Sequence, residues 1–154
     1  MRFSPDDDDN STGPSLRLCS EEEVIQLVAD FYARIRHDPE LGPVFAAQVK
    51  DWAWHEAHLV AFWSAMLRGT RRFHGAPVSR HLEMPGLKAE LFERWLVIFR
   101  QTTAECGNPR LQAMADESAL AIGNTFWMRY QRFHFPDRDP VPLAGCEIQP
   151  ASAA

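Results

Sequence analysis

SEEEVIQLVADFYARIRHDP, residues 20–39, carries the signals that decide the fold. Ser20 followed three residues later by Glu23 is a capping box. The hydroxyl accepts from a backbone N–H in the first turn, and the carboxylate accepts from the N–H of the cap, so two orphan donors are satisfied reciprocally. Behind the cap, Val24, Leu27, Val28, Phe31 and Ile35 recur at steps of 3, 1, 3 and 4. That spacing puts them on one face of a helix, with Tyr32 at the edge of the face. Pro39 disfavours α geometry at the residue before it, so the helix ends near His37 and Asp38.

Downstream, Glu40-Leu41-Gly42-Pro43 reads as a turn, and Val44-Phe45 return to apolar character. A second helix is expected from about Lys50 to Arg68, where Trp52, His55, Leu59, Phe62 and Met66 recur at 3, 4, 3 and 4 and Gly69 supplies the stop. Residues 70–77 read as a loop, followed by a short segment, Val78 to Leu82, that Met84-Pro85-Gly86 ends. A third helix from about Lys88 to Glu105 puts Leu91, Trp95, Ile98, Phe99 and Thr102 on one face. Gly107 ends it, and Pro109 suits the first turn of a last helix running to about Arg132. The stripe of that helix is Leu111, Met114, Ala115, Ser118, Ile122 and Phe126.

Residues 1–15, with Asp6 to Asp9 in a row, read as a disordered acidic extension, and residues 134–154, with four prolines, as a mobile tail. Between them, residues 16–133 form one domain. With no strand alternation, repeat or βαβ pattern, the expected class is all-α, built from four main helices and a short one.

The five Trp and ten Phe among 154 residues suggest either dense packing or the wall of a pocket for a flat, apolar ligand. A net charge of −5 without a basic stripe argues against nucleic acid. No apolar run approaches the roughly 20 residues of a membrane span, and the start MRFSPDDDDN has no apolar signal region. Cys19, Cys106 and Cys146 show neither zinc spacing nor the CxxCH of covalent haem attachment, so they read as free thiols in a reducing cytoplasm.

Titratable groups on apolar faces cost desolvation energy and need a reason. His55 lies within the second helix's stripe, and His81 is flanked by Val78 and Leu82. Taken singly, each is explained by a hydrogen-bonded core histidine. The order of residues says more. Phe31-Tyr32, then Leu41-Gly42-Pro43-Val44-Phe45, then Trp52-x-x-His55 and Phe62-Trp63, then His81-Leu82 and Trp95 resemble the truncated haemoglobins, most closely group III. The strings FYARIRHDPELGPVF, WHEAHLVAFWSAML, HGAPVSRHLEMP and LFERWLVIF carry the likeness, which covers roughly residues 20–133.

The resemblance implies a two-over-two helical sandwich around non-covalent haem b, iron protoporphyrin IX. It implies that His81 holds the iron through a neutral ring nitrogen, that Phe45 and Leu82 pack on the macrocycle, and that Tyr32, His55 and Trp95 line the gas side. Phe31 and Leu59 would be apolar wall there, and Trp52 would support His55. His58 is an alternative distal group, and His74 a rival for the proximal role. The implied function is binding of dioxygen, nitric oxide or another diatomic ligand, with redox chemistry on the bound gas such as nitric oxide dioxygenation or peroxide reduction and a separate reductase as electron donor. The alternatives are an oxygen store or carrier, and a gas sensor without turnover. A carboxylate-bridged di-iron bundle would need repeated Glu-x-x-His pairs, which the long helices lack, and a plain helical interaction module would use the aromatic rings only for packing.

Overall fold

The computed structural model describes residues 13–73 and 84–146. All regular structure in them is helical: α1 (Glu21–His37), α2 (Leu41–Gln48), α3 (Trp52–Arg68), α4 (Ala89–Thr103) and α5 (Pro109–His134). The capping box forms as the sequence requires. Glu23 N–H donates to Ser20 Oγ at 3.1 Å, and Ser20 N–H donates to Glu23 Oε1 at 3.1 Å. Asp51 Oδ1 and Asn108 Oδ1 accept from the first turns of α3 and α5 in the same way. Gly69, at φ 72°, closes α3 in the left-handed region that glycine enters without strain.

Leu41-Gly42-Pro43, expected as part of a turn, begin a helix instead, α2, which continues through Val44 and Phe45. Pro43 sits in its first turn, where no intrahelical bond needs the missing N–H. Asp38 organises the start of this helix. Its Oδ2 accepts from Leu41 N–H at 2.9 Å and Glu40 N–H at 3.1 Å, while Gly42 N–H donates to Asp38 O at 2.8 Å. Gly42 allows the close approach that results. A Cβ there would stand 3.0 Å from the carbonyl oxygen of Arg36.

α1 packs on α2, α3 and α4, and α4 packs along α5. The pair α1/α3 thus faces the pair α4/α5, with Val24, Leu27, Ile35, Leu67, Phe99 and Leu111 buried between them. The stripe on α5 keeps Leu111 and Ala115 as expected but beyond them falls one position away. Leu111, Ala115, Ala119, Gly123 and Trp127 are buried, whereas Met114, Ser118, Ile122 and Phe126 are only partly so. The small residues let α4 approach, and a Cβ on Gly123 would lie 3.9 Å from Leu96 Cδ2. Periodicity read from bulky side chains misses a seam made of small ones.

The described part of the expected mobile tail is packed against α5. Leu143 is buried, its N–H donates to Asn124 Oδ1 at 2.9 Å, and the side chain of Gln131 exchanges hydrogen bonds with the backbone of Val141. The acidic run Asp6 to Asp9 lies outside the described residues.

Candidate functional site

The site grows out of the edge of α1. Phe31 and Tyr32 are both buried, and Phe31 touches Tyr32 edge-on at 5.1 Å between ring centroids. α2 contributes Phe45, 5.9 Å from the Tyr32 ring. α3 contributes Trp52 at 5.8 Å and His55 at 5.0 Å from the same phenol ring, with Trp52 and His55 5.9 Å apart. α4 contributes Trp95, which joins through Phe31 at 5.5 Å and stacks on Phe99. Five residues placed near one another by reasoning on the sequence, Phe31, Tyr32, Phe45, Trp52 and His55, are therefore one set of touching rings. Trp95 adjoins it through Phe31, and Leu59 packs, partly buried, against the core beneath.

Burial pushes the Tyr32 phenol well above the ordinary tyrosine range, and the charge of Glu56 adds to the shift. The hydroxyl therefore stays a hydrogen-bond donor throughout physiological pH. The indole N–H groups of Trp95 and Trp52 and an imidazole N–H of His55 are the other donors the cluster carries. His58 is engaged elsewhere, stacked on Trp54 at 4.9 Å and packed 5.0 Å from Phe73. His81, Leu82 and His74 lie outside the described residues.

These residues meet the demands of a haem. A macrocycle needs an apolar wall and only a few polar groups. Phe45, Trp52, Leu59, Phe62, Leu91, Phe92 and Trp95 are partly buried, with one side on the core and the other open. The stripe Trp52, His55, Leu59, Phe62 and Met66 follows the same rule: the deeply buried residues of α3 are instead Trp63, Ser64 and Leu67. The periodicity of α3 thus marks the face of the site rather than the centre of the core.

Two supports were not apparent in the sequence. Arg94 on α4 donates to Asp38 Oδ1 from Nη2 at 2.6 Å and from Nε at 3.0 Å, tying α4 to the α1–α2 corner that presents Phe45. Burial alone would push the Asp38 carboxyl up, but the Arg94 hydrogen bond and the Leu41 and Glu40 amides outweigh it and hold the group below the ordinary carboxylate range. The second support is Tyr130, whose hydroxyl donates to Met84 O at 2.8 Å and accepts from Leu87 N–H at 3.2 Å. An Asp before Pro and a Tyr late in a helix are too common for the sequence to single out either contact.

A family model for bacterial-like globins matches residues 17–124. The chain belongs to this family, as a group III truncated haemoglobin. It is 30% identical over 111 residues to the group 3 truncated haemoglobin of Campylobacter jejuni, spanning 70% of this chain and 87% of that one. The crystal structure of group III truncated haemoglobin from Campylobacter jejuni superposes with a TM-score of 0.68 at 27% identity, covering 77% of this chain and 94% of that one. Membership implies that this globin binds haem and, through it, small gaseous ligands. No helix among its described residues is long and apolar enough to cross a membrane.

Proposed function

We propose that this truncated haemoglobin holds haem b through His81 and carries out redox chemistry on a diatomic ligand, either dioxygenation of nitric oxide or reduction of peroxide. The observation that supports the reading best is the buried, protonated phenol of Tyr32 with its ring 5.0 Å from that of His55. Haem iron would supply the coordination site and the electron density that make the outer atom of a bound gas partly negative. The chain supplies the rest. Tyr32, His55 and Trp95 donate hydrogen bonds to that negative charge, while Phe31, Phe45, Trp52 and Leu59 keep water away and so strengthen each bond. Leu82 would pack on the macrocycle beside His81.

A donor to a charged acceptor is worth roughly 1.5–3 kcal/mol, so two of them slow gas release by about a hundredfold or more. Slow release favours reaction over carriage. A reductase in the cytoplasm would return the electrons. The test is a spectrum followed by an assay. Purified protein, reduced under carbon monoxide, is expected to give a Soret band, and its pyridine derivative the bands of haem b. The oxygenated protein is then expected to convert nitric oxide to nitrate, or the ferric protein to consume peroxide with a reductant present. Retained haem without either reaction would leave oxygen storage or carriage, or gas sensing without turnover, as the function.

A further inference from the structure

The chain of rings does not end at the site. From Trp95 it runs to Phe99 at 5.5 Å and on to Trp63 at 5.0 Å, both pairs stacked. It continues through Phe62 at 5.4 Å, Phe73 at 5.1 Å and His58 at 5.0 Å. The last ring is Trp54, stacked on His58 at 4.9 Å and 10° and 53% exposed to solvent. A half-buried indole at the site is thus joined to an exposed indole on the outside of α3 by rings in unbroken contact. Indoles give up an electron far more readily than phenyl or imidazole rings, so the three tryptophans are stations and the rings between them are bridges. Trp63 and Trp54 are nine residues apart on α3, about 13.5 Å of helical rise.

Two features steer oxidation onto this path and away from the other rings of the site. The Arg36 guanidinium lies 4.6 Å over Trp52, and a cation there disfavours a second positive charge on that indole. Tyr32 must lose its proton when it is oxidised, and its burial opposes that loss.

We propose that Trp95, Trp63 and Trp54 form a relay that carries one oxidising equivalent from the site to the surface, where an organic reductant too large to enter the site is oxidised at Trp54. The relay rests on the redox reading given above. Reduction of hydrogen peroxide to two waters takes two electrons and two protons. One electron would come from the haem iron and one from Trp95. Trp63 refills Trp95, and Trp54 refills Trp63. The Trp54 indole then releases its proton to solvent, and solvent supplies the two protons that water takes up. A one-electron, one-proton donor of the ascorbate class restores the indole, and a second electron, from the proposed reductase, would restore the iron.

The test uses the haem-loaded protein, one equivalent of hydrogen peroxide and a nitroso spin trap, with the adduct located by peptide mass spectrometry. The label is expected on Trp54. Trp63→Phe is expected to abolish that label while the first peroxide is still consumed. Trp54→Phe, at an exposed position that leaves the core intact, is expected to increase haem bleaching per peroxide consumed, because the oxidising equivalent has lost its exit. Label confined to Tyr32 or Trp52, label on Trp54 persisting in Trp63→Phe, or unchanged bleaching in Trp54→Phe would each overturn the relay. A protein that consumes peroxide and leaves Trp54 unlabelled overturns the relay alone. One that leaves peroxide untouched overturns the relay together with the peroxide branch of the redox reading.

Discussion

Removal of one oxygen atom tests the role of Tyr32 directly. In Tyr32→Phe the ring keeps its place against Phe31 at 5.1 Å, Phe45 at 5.9 Å, Trp52 at 5.8 Å and His55 at 5.0 Å, so packing is conserved and only the hydroxyl is lost. On the proposed reading that hydroxyl is a buried donor to a partly charged acceptor, so its removal should withdraw roughly 1.5–3 kcal/mol from the oxygen complex. That corresponds to about 10- to 150-fold faster release, since such changes appear mainly in the off-rate. The assay is stopped-flow displacement of oxygen by excess carbon monoxide. Carbon monoxide draws much less charge from iron, so its own release should change little. Burial holds the phenol protonated, so the wild-type oxygen off-rate should also stay flat from pH 7 to about 9, below the ordinary tyrosine pKa. An unchanged oxygen off-rate in Tyr32→Phe, or equal acceleration of both gases, would refute donation by Tyr32.

His81→Ala is expected to abolish stable haem retention, read as loss of the Soret band after desalting; full retention would reject the proximal assignment. Asp38→Asn should lower stability at neutral pH. The native carboxyl is held below its unfolded value near 3.9, so its contribution is present above about pH 4 and is lost as the pH falls through the folded value. The gap in melting temperature between wild type and variant should therefore narrow below about pH 4, and a gap independent of pH would refute the charge argument. Gly42→Ala, a change that commonly stabilises a helix by about 0.5–1 kcal/mol, should instead destabilise this protein, because the new Cβ meets the Arg36 carbonyl oxygen at 3.0 Å. A denaturant midpoint that rises would show that the α1–α2 corner relaxes.

Local chemistry determined much of this protein before any tertiary contact was known. The Ser20–Glu23 box and the stop at Gly69 are interactions between near neighbours, and the structure contains both. The four long helices follow, and so does the face of α3 that carries Trp52, His55 and Leu59, because a helical repeat is written in the spacing of its residues. The helical nature of α2 was hidden, since Gly and Pro signal a turn unless a carboxylate such as Asp38 caps the amides that follow. The later part of the buried seam of α5 was hidden as well, because Ala119 and Gly123 advertise nothing until α4 lies against them. Only the folded chain decided that His58 faces Trp54, that Arg94 reaches Asp38 from 56 residues away, and that rings from α4, α3 and Phe73 beyond it connect Trp95 to the surface. A sequence records which residues share a face of one helix. Which faces meet depends on how whole helices fill space together, and no single stretch of chain contains that information.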